Sequence, residues 1–560
     1  MLKMNFKALT AAGATALVCV GMLFQSVAYA DSESAGYVES DLRIWIPGKA
    51  HPNKAEGQVW NKIQRLENTL GYRGFWGGDY AGATADLKLI FFGGSQVLDL
   101  EDMTDRTLID GYRLESDALY VEFYDFLVDG LDLKLGRQIV EWGSADQFNP
   151  TNPVNALDLE DPIKFGDRVA NEMAVLTWTA PWYVEGEHGT LFDEFTLSAV
   201  AVPVFRTGVI PESGLVAFQN TELLAAQANS PALEAMASLA PAFADAGGDF
   251  VFDVDVKTPR LLGQNVQYGA HMGMNVLGIS LGFMYYKGFS DIPYPAKLKP
   301  TLTEPDRGYE LKNGEVVPGG SLKDLFGLIQ GVTLQELGGL ADLIGSAADL
   351  VEGSLVSSAV ELQFPRIQMV GTHFSTSLDF LGGMGLWGEF AMYMHEDLAL
   401  ELDLTEFLGY ADSEVTLEGG VFMKAAAGMD YSITRYWYMN VQYLYGFVDE
   451  FGADDLNHFV VLVNDYKLFN ESVIARTSVI LGMEDLPLLD ADGIPEVDDA
   501  GVEKTGITLS GVIYPNLIIN AIENTELNIG AFIYFGREDT KFGSPLAGSN
   551  MFYMKAKYSF

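Results

Sequence analysis

The chemically richest stretch runs Leu135-Gly136-Arg137-Gln138-Ile139-Val140-Glu141-Trp142-Gly143, followed by Asp146, Asn149-Pro150, Asn152-Pro153 and Asp158. A guanidinium, a carboxamide, an indole and several carboxylates suit binding or loop anchoring, because guanidinium and carboxylate pair through strong charge-assisted hydrogen bonds. No nucleophile elbow and no phosphate-cradling Gly-Lys-Ser/Thr loop accompanies them. The chain therefore reads as a non-enzyme, the remaining catalytic route being Ser, His and carboxylate brought together from distant segments. Asp490, Asp492, Asp498 and Asp499 offer the carboxylates a hard cation wants, but their spacing departs from the EF-hand loop. An acidic loop that stays solvated, or meets divalent ions bridging lipopolysaccharide, is the preferred reading. His271, His373 and His395 lack metal-ligand spacing and read as lone lumen or rim residues. The single cysteine is Cys19, so no disulfide or cysteine metal site is expected in the mature chain. No metal and no cofactor is expected.

The elements that must position these residues are exported ones. Lys3 and Lys7 precede an apolar run from Ala8, and Ala28-Tyr29-Ala30 forms a small-x-small cleavage site before Asp31. Residues 1–30 thus read as a cleaved signal peptide, with Ala28 and Ala30 as its cleavage signature and 31–560 as the mature domain. The formal charge of −43, from 34 basic and 77 acidic residues, would repel a phosphate backbone, which excludes nucleic acid as a partner. Hydrophobic residues at 48% and aromatics at 12% are too many for a disordered acidic chain.

Past Asp31 the dominant signal is alternation. Leu131, Leu133 and Leu135 form one apolar row; Phe195, Leu197, Ala199 and Ala201 form another. Trp437, Met439, Val441, Tyr443 and Tyr445 do the same, as do Leu527, Ile529, Ala531, Ile533 and Phe535. Period-two segments with one apolar face fit strands that separate lipid from a polar lumen, although a soluble sandwich shares the pattern. The last residues weigh toward the membrane. Phe552, Met554, Ala556, Tyr558 and Phe560 resemble the terminal strand of Gram-negative outer-membrane barrels, whose final Phe is part of the signal read by the barrel-insertion machinery. On that resemblance Tyr558 and Phe560 are the insertion signal.

Counting back from Phe560 predicts strands near 551–560, 525–535, 506–516, 471–483, 458–468, 434–447, 418–430, 384–395 and 366–378. The series continues near 277–288, 264–276, 193–204, 172–182, 131–140, 117–127, 81–93, 60–76 and 37–46. The expected fold is an all-β, closed antiparallel transmembrane barrel of about 18 strands, with 16 as the fallback if 37–46 is not a strand. Alternate connections are long: 47–59, 94–116, 141–171, 205–263, 289–365, 396–417, 448–457, 484–505 and 536–550. Long loops belong outside and short turns in the periplasm. Two of the loops carry helical sequence, at about 212–247 and 320–352. In the first, Ser230 caps Pro231; in the second, Thr333 and Glu336 form a capping box ahead of Leu337 and Leu340. These helices either pack together as a lid or line an entrance for a hydrophobic ligand.

The Gly136-Arg137-Gln138 strand leading to Trp142-Gly143 and the Asn/Pro-rich loop resembles a family of outer-membrane barrels of unassigned function, often encoded beside RND-type exporters of hydrophobic molecules. It is more distantly similar to alginate-export barrels. Ser144 departs from the acid expected after Trp-Gly. The resemblance implies a channel or transporter for small hydrophobic or amphipathic molecules, with lipids among them and an RND-type exporter as a partner. A water-filled, cation-favouring porin and a structural or adhesion barrel are the alternatives. Outer-membrane lipids and lipopolysaccharide surround any such barrel. Arg137, Gln138, Glu141, Trp142 and Asp146 are the pore-lining or loop-anchoring candidates. Lipid exposure would cost Arg137 about 2 to 4 kcal/mol at mid-membrane depth. It is therefore expected to turn inward through a bulge at Gly136 or to sit at the rim, paired with Glu141 or Asp146.

Overall fold

A computed structural model describes residues 31–46, 63–92, 111–145, 148–159, 166–186, 189–210, 244–245, 247–261, 263–303, 308–310, 316–318, 354–405, 410–453, 456–489, 495–497, 504–544, 547–548 and 550–560. The apolar rows predicted above become the outer face of a cylinder. Its strands are β1 (Asp31–Trp45), β2 (Ile63–Gly77), β3 (Ala81–Phe92), β4 (Tyr112–Phe123), β5 (Leu131–Gln138) and β6 (Asn171–Thr179). Next come β7 (Gly189–Val202), β8 (Gln267–Val276), β9 (Ile279–Phe289), β10 (Arg366–Leu378), β11 (Met384–His395) and β12 (Gly420–Thr434). The last are β13 (Trp437–Tyr445), β14 (His458–Leu468), β15 (Val473–Pro487), β16 (Thr505–Ile522), β17 (Thr525–Phe535) and β18 (Met551–Ser559). A short piece, Val184–Gly186, prolongs β6 against β7. Consecutive strands pair antiparallel, and β1 pairs with both β2 and β18, which closes an 18-stranded barrel and removes its edges. The segment 37–46 forms the second part of β1 up to Trp45, so the smaller count does not apply.

Cross-strand register shows which residues share a face. Ile44 opposes Phe552, Leu42 opposes Met554 and Val38 opposes Tyr558. Ala531 and Ile529 oppose the same two aromatic and thioether side chains from the other side. Val38, Leu114, Leu119, Phe283, Phe390, Met423, Tyr443, Phe552 and Met554 are accordingly exposed, as an acyl-chain-facing surface requires. At the seam Gly36 and Phe560 exchange two backbone hydrogen bonds of 2.8 Å. A Cβ on Gly36 would stand 2.5 Å from the Phe560 ring, so the glycine makes room for that aromatic.

The two rims differ as expected. Turns of a few residues, such as Leu277-Gly278, Arg435-Tyr436 and Glu523-Asn524, occupy the rim where the chain ends, while the long connections rise from the other. The signal segment 1–30 lies outside the described residues, and so do the helical insertions at 212–247 and 320–352 apart from the helical pair 244–245 and the turn residue Gly247. Among the described residues, segments expected to be plain connecting loop form seven further strands instead, two of them a small antiparallel pair, 308–310 with 316–318. Residues 410–417, 398–404, 294–303, 355–363 and 249–256 make, in that order, a second sheet above the long-loop rim. Two of its pairings are parallel: 355–363 with 249–256, and 294–303 with 398–404. Leu298, Leu302, Val356, Val360, Leu400 and Leu402 are buried in it, and Lys297 meets Glu401 at 2.7 Å across one parallel pair.

The inner wall has two characters. From β6 to β14 it presents Met173, Val175, Val200, Val202, Met284, Met369, Trp387, Ala426, Leu444 and Phe459, all buried. From β1 to β5, and on β18, it carries charge in opposed pairs. Asp41 meets Arg43 at 2.7 Å, Arg73 meets Asp86 at 2.6 Å, Lys134 meets Glu122 at 3.2 Å and Lys555 meets Glu39 at 3.0 Å. Lys88 pairs with Asp117 on the same arc.

Candidate functional site

After Gln138 the backbone leaves the ladder and turns into the barrel, laying the described parts of segment 139–170, residues 139–145, 148–159 and 166–170, over the apolar arc. Irregular backbone inside a barrel must find other partners for its N–H and C=O groups. Asparagines supply most of them. Asn155 Oδ1 accepts the Val140 N–H at 2.9 Å, while its Nδ2 donates to the carbonyls of Gln138 (3.2 Å) and Val169 (3.0 Å). Asn152 Nδ2 donates to the Val140 carbonyl at 2.7 Å. Asn149 donates to the Trp142 carbonyl and accepts the Thr151 N–H at 2.9 Å. Beneath them the Arg168 guanidinium donates to the carbonyls of Asn152, Asn155 and Asn149. The Asn-Pro pairs thus hold the fold of the segment as well as stiffening it.

Two side chains fasten the segment to the wall. Trp142 enters the cluster formed by Val154, Met173, Val200, Met284 and Met369, and stacks on His271 at 5.7 Å between ring centroids. His271 and His373, expected to stand alone, face each other with Nε2 atoms 3.4 Å apart. The second fastening is Glu389 on β11, only 5% exposed. Its carboxylate accepts the backbone N–H groups of Ser144 and, at 2.6 Å, Ala145, and the Thr151 hydroxyl at 2.8 Å. Tyr393, two inward positions further along β11, donates to the Pro150 carbonyl at 2.6 Å. Phe148 fills the adjoining cluster of Trp387, Leu444, Phe447 and Phe459.

Gly143 explains why glycine follows the tryptophan. Its φ is +93°, and a Cβ would come within 2.3 Å of Glu389 Oε1. No other residue allows the carboxylate to approach the turn so closely.

Of the candidates, Trp142 is buried against the wall and Gln138 is buried with its amide toward the Met173 carbonyl at 3.4 Å. Glu141 is exposed, and Asp146 lies outside the described residues. Arg137 takes the rim, one of its two expected places, with a different acidic partner. The β4–β5 and β5–β6 registers run unbroken through Gly136, so no bulge redirects it, and Arg137 opposes Leu119 and Glu172 on the outward face. Gly136, at φ +136°, accommodates close approach of the Leu119 carbonyl instead. Arg137 avoids the cost of lipid by standing at the last turn of the strand before the long-loop rim. There it donates to the Ser116 carbonyl at 2.7 Å and to Glu172 at 3.2 Å, with Arg206 on the same carboxylate at 2.7 Å. Among the described residues its acidic partner is Glu172, in place of Glu141 or Asp146. Because Arg206 would still hold Glu172, Arg137→Ala is expected to leave single-channel conductance unchanged and to cost about 1 kcal/mol or less in melting experiments. A large conductance change would place Arg137 on the permeation path after all.

Glu389 and Arg168 were not marked by sequence. The one available signal was a carboxylate amid the inward row Trp387, Ala391 and Tyr393, where apolar neighbours make a lone acid conspicuous. The calcium candidates Asp490, Asp492, Asp498 and Asp499 lie outside the described residues.

No curated protein matches the chain in sequence. Among solved structures it is similar to OccAB1 of Acinetobacter baumannii, at 8% identity and TM-score 0.44, covering 95% of this chain and 96% of that one. It is similar to OpdL of Pseudomonas aeruginosa, at 9% identity and TM-score 0.43, covering 95% and 99% respectively. Wzi, an Escherichia coli outer-membrane protein, matches at 9% identity and TM-score 0.40, covering 96% and 86%. The family described as a protein of unknown function, DUF1302, matches residues 98–450, more than half of the sequence, and the chain belongs to that family.

Proposed function

We propose that the barrel is an outer-membrane channel for small polar or charged solutes, narrowed by segment 139–170. One observation carries this reading: among the described residues the segment covers the apolar arc of the inner wall, while on the arc of opposed charges Arg73 and Lys134 stand open beside Asp86 and Glu122, only the Asp41–Arg43 pair being buried. Such an arc keeps water and lets a solute exchange hydration for paired charges on its way. Because cations and acids alternate on that wall, preference for cations would come from the acidic excess of the chain as a whole, whose formal charge is −43. Reconstitution in planar bilayers is expected to give steady, ohmic conductance that rises with salt, and a reversal potential on the cation side in a salt gradient. Silent bilayers would defeat the channel and favour a structural or adhesion barrel.

A second reading, passage of hydrophobic or amphipathic molecules, lipids among them, is favoured by the continuous apolar surface behind the segment. Displacing Trp142 and Phe148 would open it to such a guest. Partner-driven delivery by an RND-type exporter belongs to this reading. Mass spectrometry of molecules retained through mild detergent extraction separates the two, since only the second expects an apolar compound in stoichiometric amount.

A further inference from the structure

Most described cations of this acidic chain have an acid or carbonyl partner; of the others, Arg435 and Lys557 stand at the short-turn rim against the Tyr436 and Tyr37 rings, and Lys287 and Arg366 stand together at one corner of the long-loop rim. Lys287 near the top of β9 is exposed and, among the described residues, has no acidic partner. Its register neighbours on the outward face are Tyr268 and Gln368. One position higher, Arg366 opposes Phe289, lies 4.8 Å over that ring and bonds the Asn265 side chain at 2.9 Å, a neutral partner. Asn265 in turn donates to the Arg260 backbone carbonyl at 2.8 Å, which fixes its side chain beside Arg366. The acids of this flank stand farther out: Asp255 is taken by Lys257, and Glu361 lies in the upper sheet.

Beneath the cations the outward face changes character within two steps along the strands. Tyr268 and Tyr285 come first, exposed, with the Tyr285 hydroxyl 3.1 Å from Gln368 Oε1; Phe283, Val370 and Phe374 follow, exposed and apolar. Cations at the rim, phenols below and hydrocarbon beneath reproduce the profile of a lipid from headgroup to chain. Arginine and lysine together match phosphate, one as a planar fork and the other as a point charge.

We propose that the outward corner of β8 to β10 at the long-loop rim, built on Lys287, Arg366 and Asn265, binds the phosphorylated headgroup of an outer-leaflet glycolipid of the lipid A type. The site is on the outside of the wall and independent of what the lumen passes. The phosphate sits between Lys287 and Arg366, and the acyl chains run down over Tyr285 and Phe283.

The test is binding of bisphosphorylated lipid A to the purified full chain in detergent micelles, with dephosphorylated lipid A as the matched probe. Wild type is expected to bind the dephosphorylated probe at least about tenfold more weakly, and Lys287→Gln with Arg366→Gln is expected to lose a similar factor for the bisphosphorylated one. Arg435→Gln, at the opposite rim, should bind as wild type, and inorganic phosphate should fail to displace the lipid. Equal binding of the two probes by wild type, which needs no variant to fold, overturns the proposal. So does wild-type binding by the double variant, equal loss in Arg435→Gln, or displacement by inorganic phosphate alone.

Discussion

Glu389→Ala is expected to release segment 139–170 from the wall, raise single-channel conductance with added noise, and lower melting by about 3 to 5 kcal/mol. Hydrogen bonds to a charged group contribute about 1.5 to 3 kcal/mol each, and their loss leaves buried donors without partners. Here the orphans would be the N–H groups of Ser144 and Ala145 and the Thr151 hydroxyl. Glu389→Gln keeps one accepting oxygen and should fall between the alanine variant and wild type. The measurements are the temperature at which the unboiled protein loses its compact gel mobility and the single-channel trace. Wild-type values in both for the alanine variant would show that the carboxylate does not hold the segment.

Trp142→Ala should be of similar size, about 3 to 5 kcal/mol, the usual range for truncating a buried aromatic. It empties the slot between Val154, Met173, Val200 and Met284 and removes the stack on His271. Trp142→Phe should recover much of the loss. Since Trp142 and Glu389 hold one segment within a few residues, the double alanine variant should lose less than the two single losses added. Full additivity would mean that the segment is not a cooperative unit. If the hydrophobe reading of the lumen is right, Trp142→Ala should also change the apolar material that survives detergent extraction.

The barrel was legible because its determinant is local. Each of the 18 strands carries its own period-two row, from Leu131, Leu133 and Leu135 to the row ending at Phe560, and lipid demands the same face of all of them. The upper sheet was not legible. Its strands continue barrel strands after short breaks, as Tyr294–Thr303 follows Phe289, and although 294–303 pairs with 355–363 and 398–404 with 410–417 inside one connection each, the parallel pairings that join them into one sheet come from different connections. For Arg137 the cost of lipid left two places open, an inward turn or the rim; the rim, with Glu172 and Arg206 at hand, satisfies the constraint without a bulge, and only those partners lay beyond the sequence. Trp142 and the asparagines were visible as a motif, yet their anchor was not. Glu389 lies 245 positions from Ser144 in the chain, and no local pattern announces so distant a contact.

The upper sheet also constrains the order of assembly. Residues 249–256 and 355–363 run parallel although each belongs to a different hairpin, so they can meet only once β8 to β10 already stand side by side. Pairings that close so large an intervening chain form late. During biogenesis the cap would therefore knit last, after the wall is in place, and a protease pulse applied to the nascent barrel should nick those crossings before it can touch the cylinder.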